Sequence, residues 1–323
     1  MMAQIFRRVA RPAILAAGRS YCLRRTAERL PVTRHVVHRF VPGETVQDAL
    51  NSAAALRESR RMVSIDYLGE DVTDVDAATA TVNAYLGLLD ALGRRSDAAW
   101  VGVRPLEVSL KLSALGQALP RDGQKIALEN AHTICAAAQR AGVWVTVDAE
   151  DHTTTDSTLG IVRELRGDFD WLGTVLQAHL RRTPGDCEDF AAAGARIRLC
   201  KGAYDEPATV AYRDRDDVTD SYLRCLKVLM AGTGYPMAAS HDPVLITAAG
   251  ELARETSREA NEFEYQMLYG IRDPEQRRLA DAGNAMRVYV PFGTQWYGYF
   301  VRRLAERPAN LTFFLRALAE RGH

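Results

Sequence analysis

From about residue 60 onward, short apolar and β-branched runs recur, each ending at a polar residue and giving way to a stretch with helical spacing. They read MVSIDYLGE (62–70), LEVSLKLSAL (106–115), VWVTVDAED (143–151) and WLGTVLQAH (171–179). Four more follow: ARIRLCKGAY (195–204), YPMAASHDP (235–243), EFEYQMLYG (262–270) and AMRVYVPFG (285–293). Between them lie helical patterns such as RDGQKIALENAHTICAAAQRAG (121–142) and DSYLRCLKVLMAG (220–232), each closing on a glycine suited to a C-cap. The runs are apolar almost throughout instead of alternating, as strands buried on both faces are, so the pattern predicts a parallel sheet covered by helices. Eight strands is the number that closes a (βα)8 barrel, and the span fits its typical length of about 250 residues. An open doubly wound sheet is the alternative, but no GxGxxG follows a strand (GTGYPM at 232–237 does not fit) and no GxxxxGK[ST] occurs. The expected organisation is α/β: a TIM-type barrel over 46–323 preceded by a helical arm over 1–45. RFVPGETVQDAL (39–50) reads as a turn and the N-cap of the helix entering the barrel.

In such barrels chemistry sits at the C-terminal ends of the strands. Those ends carry Asp66, Lys111 and Ser113, Asp148 and Glu150, Gln177, Arg198 and Lys201, His241, Glu264 and Gln266, and Tyr289. A polar rim is ordinary for any one of them; packing alone does not account for the whole set. Lys111 stands in an apolar run, where an unpaired charge is costly, and Asp148 on the neighbouring strand is its expected counter-ion. RLCKGAY (198–204) places two cations and a glycine at a strand-to-loop junction, which suits a phosphate or an anionic ring but is not specific to either. His241 has no partner at ligand spacing, so no metal site is expected. The last strand runs into VRRLAER, whose helical spacing sets Tyr299, Arg302, Arg303 and Glu306 on one stripe. Two readings stay open on spacing alone: an arginine pair over the barrel mouth gripping a carboxylate, or a solvated face with an ordinary Arg–Glu pair.

Composition narrows the classes. With 323 residues, 47% hydrophobic, the chain can bury a large core unaided. Lys+Arg and Asp+Glu both number 41, which argues against a general nucleic-acid binder. The five cysteines are scattered with no CxxC pair, so neither a zinc site nor a disulfide framework is expected. No apolar run approaches the roughly 20 residues that span a bilayer. Residues 1–30 carry seven arginines and no acid before Glu28. A packed arm, a membrane-surface helix and an organellar transit peptide all fit that segment.

Taken together, SLKLSAL, VDAED, RLCKGAY, FEYQMLYG and YVPFGTQWYGYFVRRLAER resemble the FAD-dependent proline dehydrogenases, in the family's order, from about residue 40 to 310. The resemblance is to the monofunctional form. It implies a distorted (βα)8 barrel that oxidises L-proline to Δ1-pyrroline-5-carboxylate by hydride transfer to FAD, with a membrane quinone reoxidising the flavin. By this resemblance Asp148, Arg198 and Lys111 are catalytic. Arg302 and Arg303 clamp the substrate carboxylate, Tyr289 and Tyr299 wall the ring, Leu268 packs on it, and Glu306 pairs with the arginine–lysine cluster. Val147, Gln177, Arg198, Lys201, Gly202, Ala203, Ser240 and His241 line the cofactor, with Arg198 near its N5. A cationic pocket of Lys111 and the two arginines would favour the neutral amine. The resemblance also implies a cytoplasmic protein, peripheral on the inner face of the cell membrane, with the mitochondrial matrix and inner membrane as the alternative. Two features depart from the family's pattern: Asp205 follows KGAY where many relatives have Trp, and only Arg215 loosely matches a phosphate-side cation. Tyr289, where hydroxyproline-preferring relatives are smaller, points to plain proline. The competing enzyme class is a Schiff-base lyase or aldolase barrel using Lys111 or Lys201.

Overall fold

A computed structural model describes residues 37–95 and 102–306, the side chains of 304–306 excepted. Eight strands form a closed barrel in chain order, all neighbours parallel, with the last pairing back to the first. They are β1 (Met62–Tyr67), β2 (Leu106–Leu110), β3 (Trp144–Val147), β4 (Gly173–Gln177), β5 (Arg196–Cys200), β6 (Tyr235–Ala239), β7 (Glu264–Leu268) and β8 (Met286–Phe292). Every residue of β2, β3 and β4 is buried, the physical basis of their non-alternating pattern. The closed barrel excludes the open-sheet alternative.

Helix α1 (Val46–Glu58) precedes β1, and α2 (Val75–Gly93), α3 (Gly123–Ala141), α4 (Thr155–Leu165), α5 (Thr183–Ala192), α6 (Arg215–Ala231), α7 (Pro243–Glu255) and α8 (Asp273–Asp281) fill the crossovers. Their starts are chemically marked. Thr45 and Asp48 form a reciprocal capping box at α1, while Asp74, Asp214 and Asp242 cap α2, α6 and α7 by accepting backbone N–H bonds. Gly142, at φ +69, ends α3 in the left-handed conformation that glycine adopts without strain.

The last helix among the described residues, α9 (Trp296–Glu306), breaks the regular pattern. Its Trp296, Tyr297, Tyr299, Phe300 and Val301 form a separate apolar cluster with Leu68 just beyond β1, Ile271 after β7 and Tyr289 of β8. Those partners lie at the C-terminal end of the barrel, so α9 crosses the mouth. Helix α1 instead packs against β8 and β1, taking the outer position α9 leaves vacant. This is the distortion expected of the barrel. Val37, Phe40 and Val41 close over α9, with the Phe40 and Phe300 ring centroids 6.2 Å apart. Residues 1–36, on which the three readings of the arginine-rich start rest, lie outside the described residues. Among the described residues no helix is long and apolar enough to cross a membrane.

The barrel interior is charged. Arg198 of β5 reaches Ser64 of β1, Glu107 and Ser109 of β2, Asp148 after β3 and Gln266 of β7, partners that only an inward-pointing side chain can meet together. Arg196 bonds Glu107 across the same interior, and Arg287 bonds Glu264 at 2.7 and 3.0 Å. Glu264 opens β7 and pairs deep inside, so its expected place at the functional rim is corrected.

Candidate functional site

The site grows from the C-terminal ends of β1, β2, β3 and β8. Lys111 follows β2 directly, and its Nζ lies 2.7 Å from Asp66 Oδ2 and 3.8 Å from Asp148 Oδ2. The expected Lys111–Asp148 pair is present, but Asp66 is a second and closer partner that the sequence reading did not name. Asp148 is engaged elsewhere. Its Oδ1 accepts from Ser109 Oγ and an Arg198 Nη, each at 2.8 Å, and its Oδ2 accepts the Tyr289 hydroxyl at 2.8 Å. Burial works against the Lys111 charge, but Asp66, Asp148 and Glu70 outweigh it and hold its pKa above the ordinary lysine value. Burial, then Asp148, raises the Tyr289 pKa well above a free phenol, so Tyr289 stays a hydrogen-bond donor.

Arg198 sits in the middle of β5, with its Nε on Gln266 Oε1 at 2.6 Å and its two Nη atoms on Ser109, Asp148, Ser64 and Glu107. Its guanidinium lies 5.3 Å from the Tyr289 ring centroid. Five donors in a rigid fork are thereby matched by protein acceptors, which fixes the position of a buried positive charge.

Helix α9 delivers the arginine pair. Arg302 donates from Nη1 (3.2 Å) and Nη2 (2.5 Å) to the carboxylate of Glu70, in the loop after β1. The Arg303 guanidinium lies 4.8 Å from the Tyr299 ring centroid, and Arg303 is 7% exposed. Burial opposes ionisation of Glu70, yet Arg302, Lys111 and Arg303 hold it below the usual carboxylate range. The Arg302–Glu70 contact ties α9 to the loop after β1, and Arg303 is buried, so this stripe is not a solvated face. Tyr204, raised by burial and by Glu70, also lies in the field of Arg302, Glu150 and Lys111. Glu306 falls outside the described side chains; Glu70 is the acid seen on Arg302.

The pocket is of mixed charge, correcting the expected cationic one: Asp66, Glu70 and Asp148 face Lys111, Arg198 and Arg302. Burial pushes the Glu150 carboxyl up to about 7, although it accepts hydrogen bonds from the Ser113 hydroxyl and N–H.

Other expected site residues follow the rim. Val147 ends β3, fully buried, and Gln177 ends β4, its Nε2 on the Glu150 carbonyl at 2.7 Å. Lys201 pairs with Asp242 at 2.8 Å and Thr219 at 3.0 Å. Gly202, at φ +100, packs so tightly that a Cβ there would meet the His179 ring at 2.5 Å. Ala203 is exposed, Ser240 is half-buried, and His241 Nε2 accepts the Leu268 N–H at 2.9 Å. Asp66, Ser113 and Gln266 stood among the polar strand ends but were given no role. Glu70, Ser109 and Tyr204 were missed altogether. Ser109 was accessible from its alternation with Glu107 and Lys111 along β2; Glu70 was one acid in the loop sequence GED.

Fold and site define a TIM-type barrel in which the helix after the eighth strand folds back to roof an ion-paired mouth. The proline dehydrogenase family profile matches residues 49–316. Proline dehydrogenase 1 of Bacillus subtilis (strain 168) is 36% identical over 289 residues, covering 90% of this chain and 92% of its own length. Proline dehydrogenase of Deinococcus radiodurans is 37% identical over 286 residues, covering 88% and 90%. Among solved structures, proline utilization A (PutA) from Bdellovibrio bacteriovorus, inactivated by N-propargylglycine, aligns with a TM-score of 0.76 at 25% identity. That alignment covers 84% of this chain and 32% of the longer protein. The chain belongs to the proline dehydrogenase family.

Proposed function

We propose that the protein oxidises L-proline to Δ1-pyrroline-5-carboxylate, with FAD as its cofactor and a membrane quinone as the final acceptor. The observation that carries this reading is that Arg302 of the roof pairs with Glu70 in the loop after β1, a carboxylate that also feels Lys111, while Lys111 and Tyr289 share Asp148 at the strand ends. In this reading the arginines take the proline carboxylate, Tyr289 and Tyr299 flank the ring and Leu268 packs on it. Lys111, held by Asp66, stands beside the ring in this reading, and the ring amine gives up its proton before the carbon is oxidised. Asp148, pinned by Ser109, Arg198 and Tyr289, keeps that geometry fixed.

The rim fits a flavin nucleotide. Lys201 supplies a cation and Gly202 a close backbone approach, Ser240 and His241 add half-buried polar groups, and Val147 and Gln177 line the strand ends. When bound, the flavin supplies the two-electron acceptor for hydride leaving the ring carbon. Arg198 holds a fixed positive charge under that site, and Arg215 and Asp205 belong to the side where the nucleotide tail would lie. Quinone reduction places the protein on a membrane face, on the cytoplasmic side of a cell membrane or within a mitochondrion. The Schiff-base alternative is disfavoured. Such a lysine needs a depressed pKa, whereas Lys111 is raised and Lys201 is held by Asp242.

Purified protein saturated with FAD should be yellow, and anaerobic L-proline should bleach its visible flavin band. A protein that takes up no flavin, or whose bound flavin ignores proline, overturns the assignment.

A further inference from the structure

The turn that carries Glu70 does not hold itself. Asp71, the next residue, lies at φ +52, a left-handed conformation that costs a non-glycine residue and persists only when its surroundings enforce it. The enforcement comes from Ser113, beyond β2. The Asp71 N–H donates to Ser113 Oγ at 3.1 Å, and the Val72 N–H donates to the Ser113 carbonyl at 3.2 Å. Ser113 is itself gripped by Glu150, which accepts both its N–H, at 3.0 Å, and its hydroxyl. Gln177 braces the same strand end through the Glu150 carbonyl. Ser113 is 3% and Glu150 8% exposed, so water competes little for these bonds. The chain of contacts therefore runs from β4 through the loops after β3 and β2, and ends one residue from the carboxylate that orients Arg302.

We propose that Ser113 and Glu150 are positioning residues for the substrate carboxylate, acting through Glu70 on Arg302. The proposal rests on the proline reading above. Glu70 occupies Arg302 from Nη1 and Nη2, which fixes the plane of the guanidinium while leaving other N–H groups of the fork for a second carboxylate. Releasing residues 71 and 72 from Ser113 lets Glu70 swing and Arg302 lose that orientation. The loss falls on substrate binding more than on the chemical step.

The test is steady-state kinetics of the flavin-loaded full chain with L-proline, comparing S113A, S113T, E70Q and S113A combined with E70Q. Losing hydrogen bonds tied to a charged group should raise the S113A KM about tenfold, with kcat lowered less than about threefold. S113T, which keeps the hydroxyl, should restore the KM. In the E70Q background S113A should add less than about a twofold increase, because both act through one chain of contacts. An S113A protein with native KM overturns the proposal, as does a full tenfold effect persisting without Glu70. Should S113A not fold, E150Q keeps the shape while weakening the grip on Ser113 and is read against E70Q in the same way. A native chain that never oxidises proline sinks the functional reading and this inference with it. Native turnover with an S113A KM that stays put sinks the inference alone.

Discussion

Replacing Arg302 with methionine is expected to raise the KM for proline about 100-fold, a charge-assisted bidentate contact being worth roughly 2–3 kcal/mol where water is largely excluded. Methionine keeps much of the aliphatic stem that packs on α9, so the helix should stay docked and flavin content should not change. The effect has two parts. In the proposed reading the substrate loses half of its carboxylate clamp; in addition Glu70 loses the cation that does most to hold its pKa below the usual carboxylate range against burial. kcat should fall much less than kcat/KM, because the lost contact is made in the ground state and the transition state alike. Saturation kinetics decide the matter. A KM within twofold of native would reduce Arg302–Glu70 to a surface ion pair worth only tenths of a kcal/mol.

The second large effect concerns stability. Glu107→Gln should destabilise the barrel by about 3–5 kcal/mol, the usual consequence of removing one partner from a buried ionic network. Glu107 is completely buried and serves both Arg196 and Arg198. Burial opposes its charge, but Arg287, Arg196 and Arg198 together hold its pKa far below the ordinary value. Glutamine fits the space but leaves those guanidiniums short of one negative charge, with Arg196 stacked 3.7 Å from the Trp144 ring centroid and unable to turn to solvent. The thermal midpoint of the flavin-loaded protein should drop on the order of 6–10 °C. A drop under about 2 °C would mean that the interior arginines find other acceptors at little cost. Because Arg198 also positions Asp148, the same variant should lose activity even at temperatures where it is folded.

Much of the architecture was legible because buried parallel strands and amphipathic crossovers write different periods into the chain. All eight strands appear where apolar runs such as VWVTVDAED and AMRVYVPFG lie. The stripe of α9 was legible for the same reason, since helical spacing groups Tyr299, Arg302 and Arg303 without reference to anything else. What spacing cannot supply is the partner across space. Lys111 was expected to meet Asp148 on an adjacent strand, yet Asp66 on the other neighbouring strand comes closer, because Asp148 is taken up by Ser109, Arg198 and Tyr289. Glu70 lies 232 residues from Arg302 in a loop with no period, and its role appears only once the chain has folded. The charged barrel interior was hidden for a related reason. Runs such as ARIRLCKGAY are apolar enough to predict a strand, but Arg196 and Arg198 find their acid on β2, across the barrel from β5.

The most direct test is a crystal structure of the flavin-loaded protein holding an unreactive five-membered cyclic carboxylate. The ligand carboxylate should lie at hydrogen-bond distance, about 3 Å, from both Arg302 and Arg303, with the ring between Lys111 and Tyr289. A ligand bound elsewhere on the barrel, or α9 arginines turned away from it, would contradict the account.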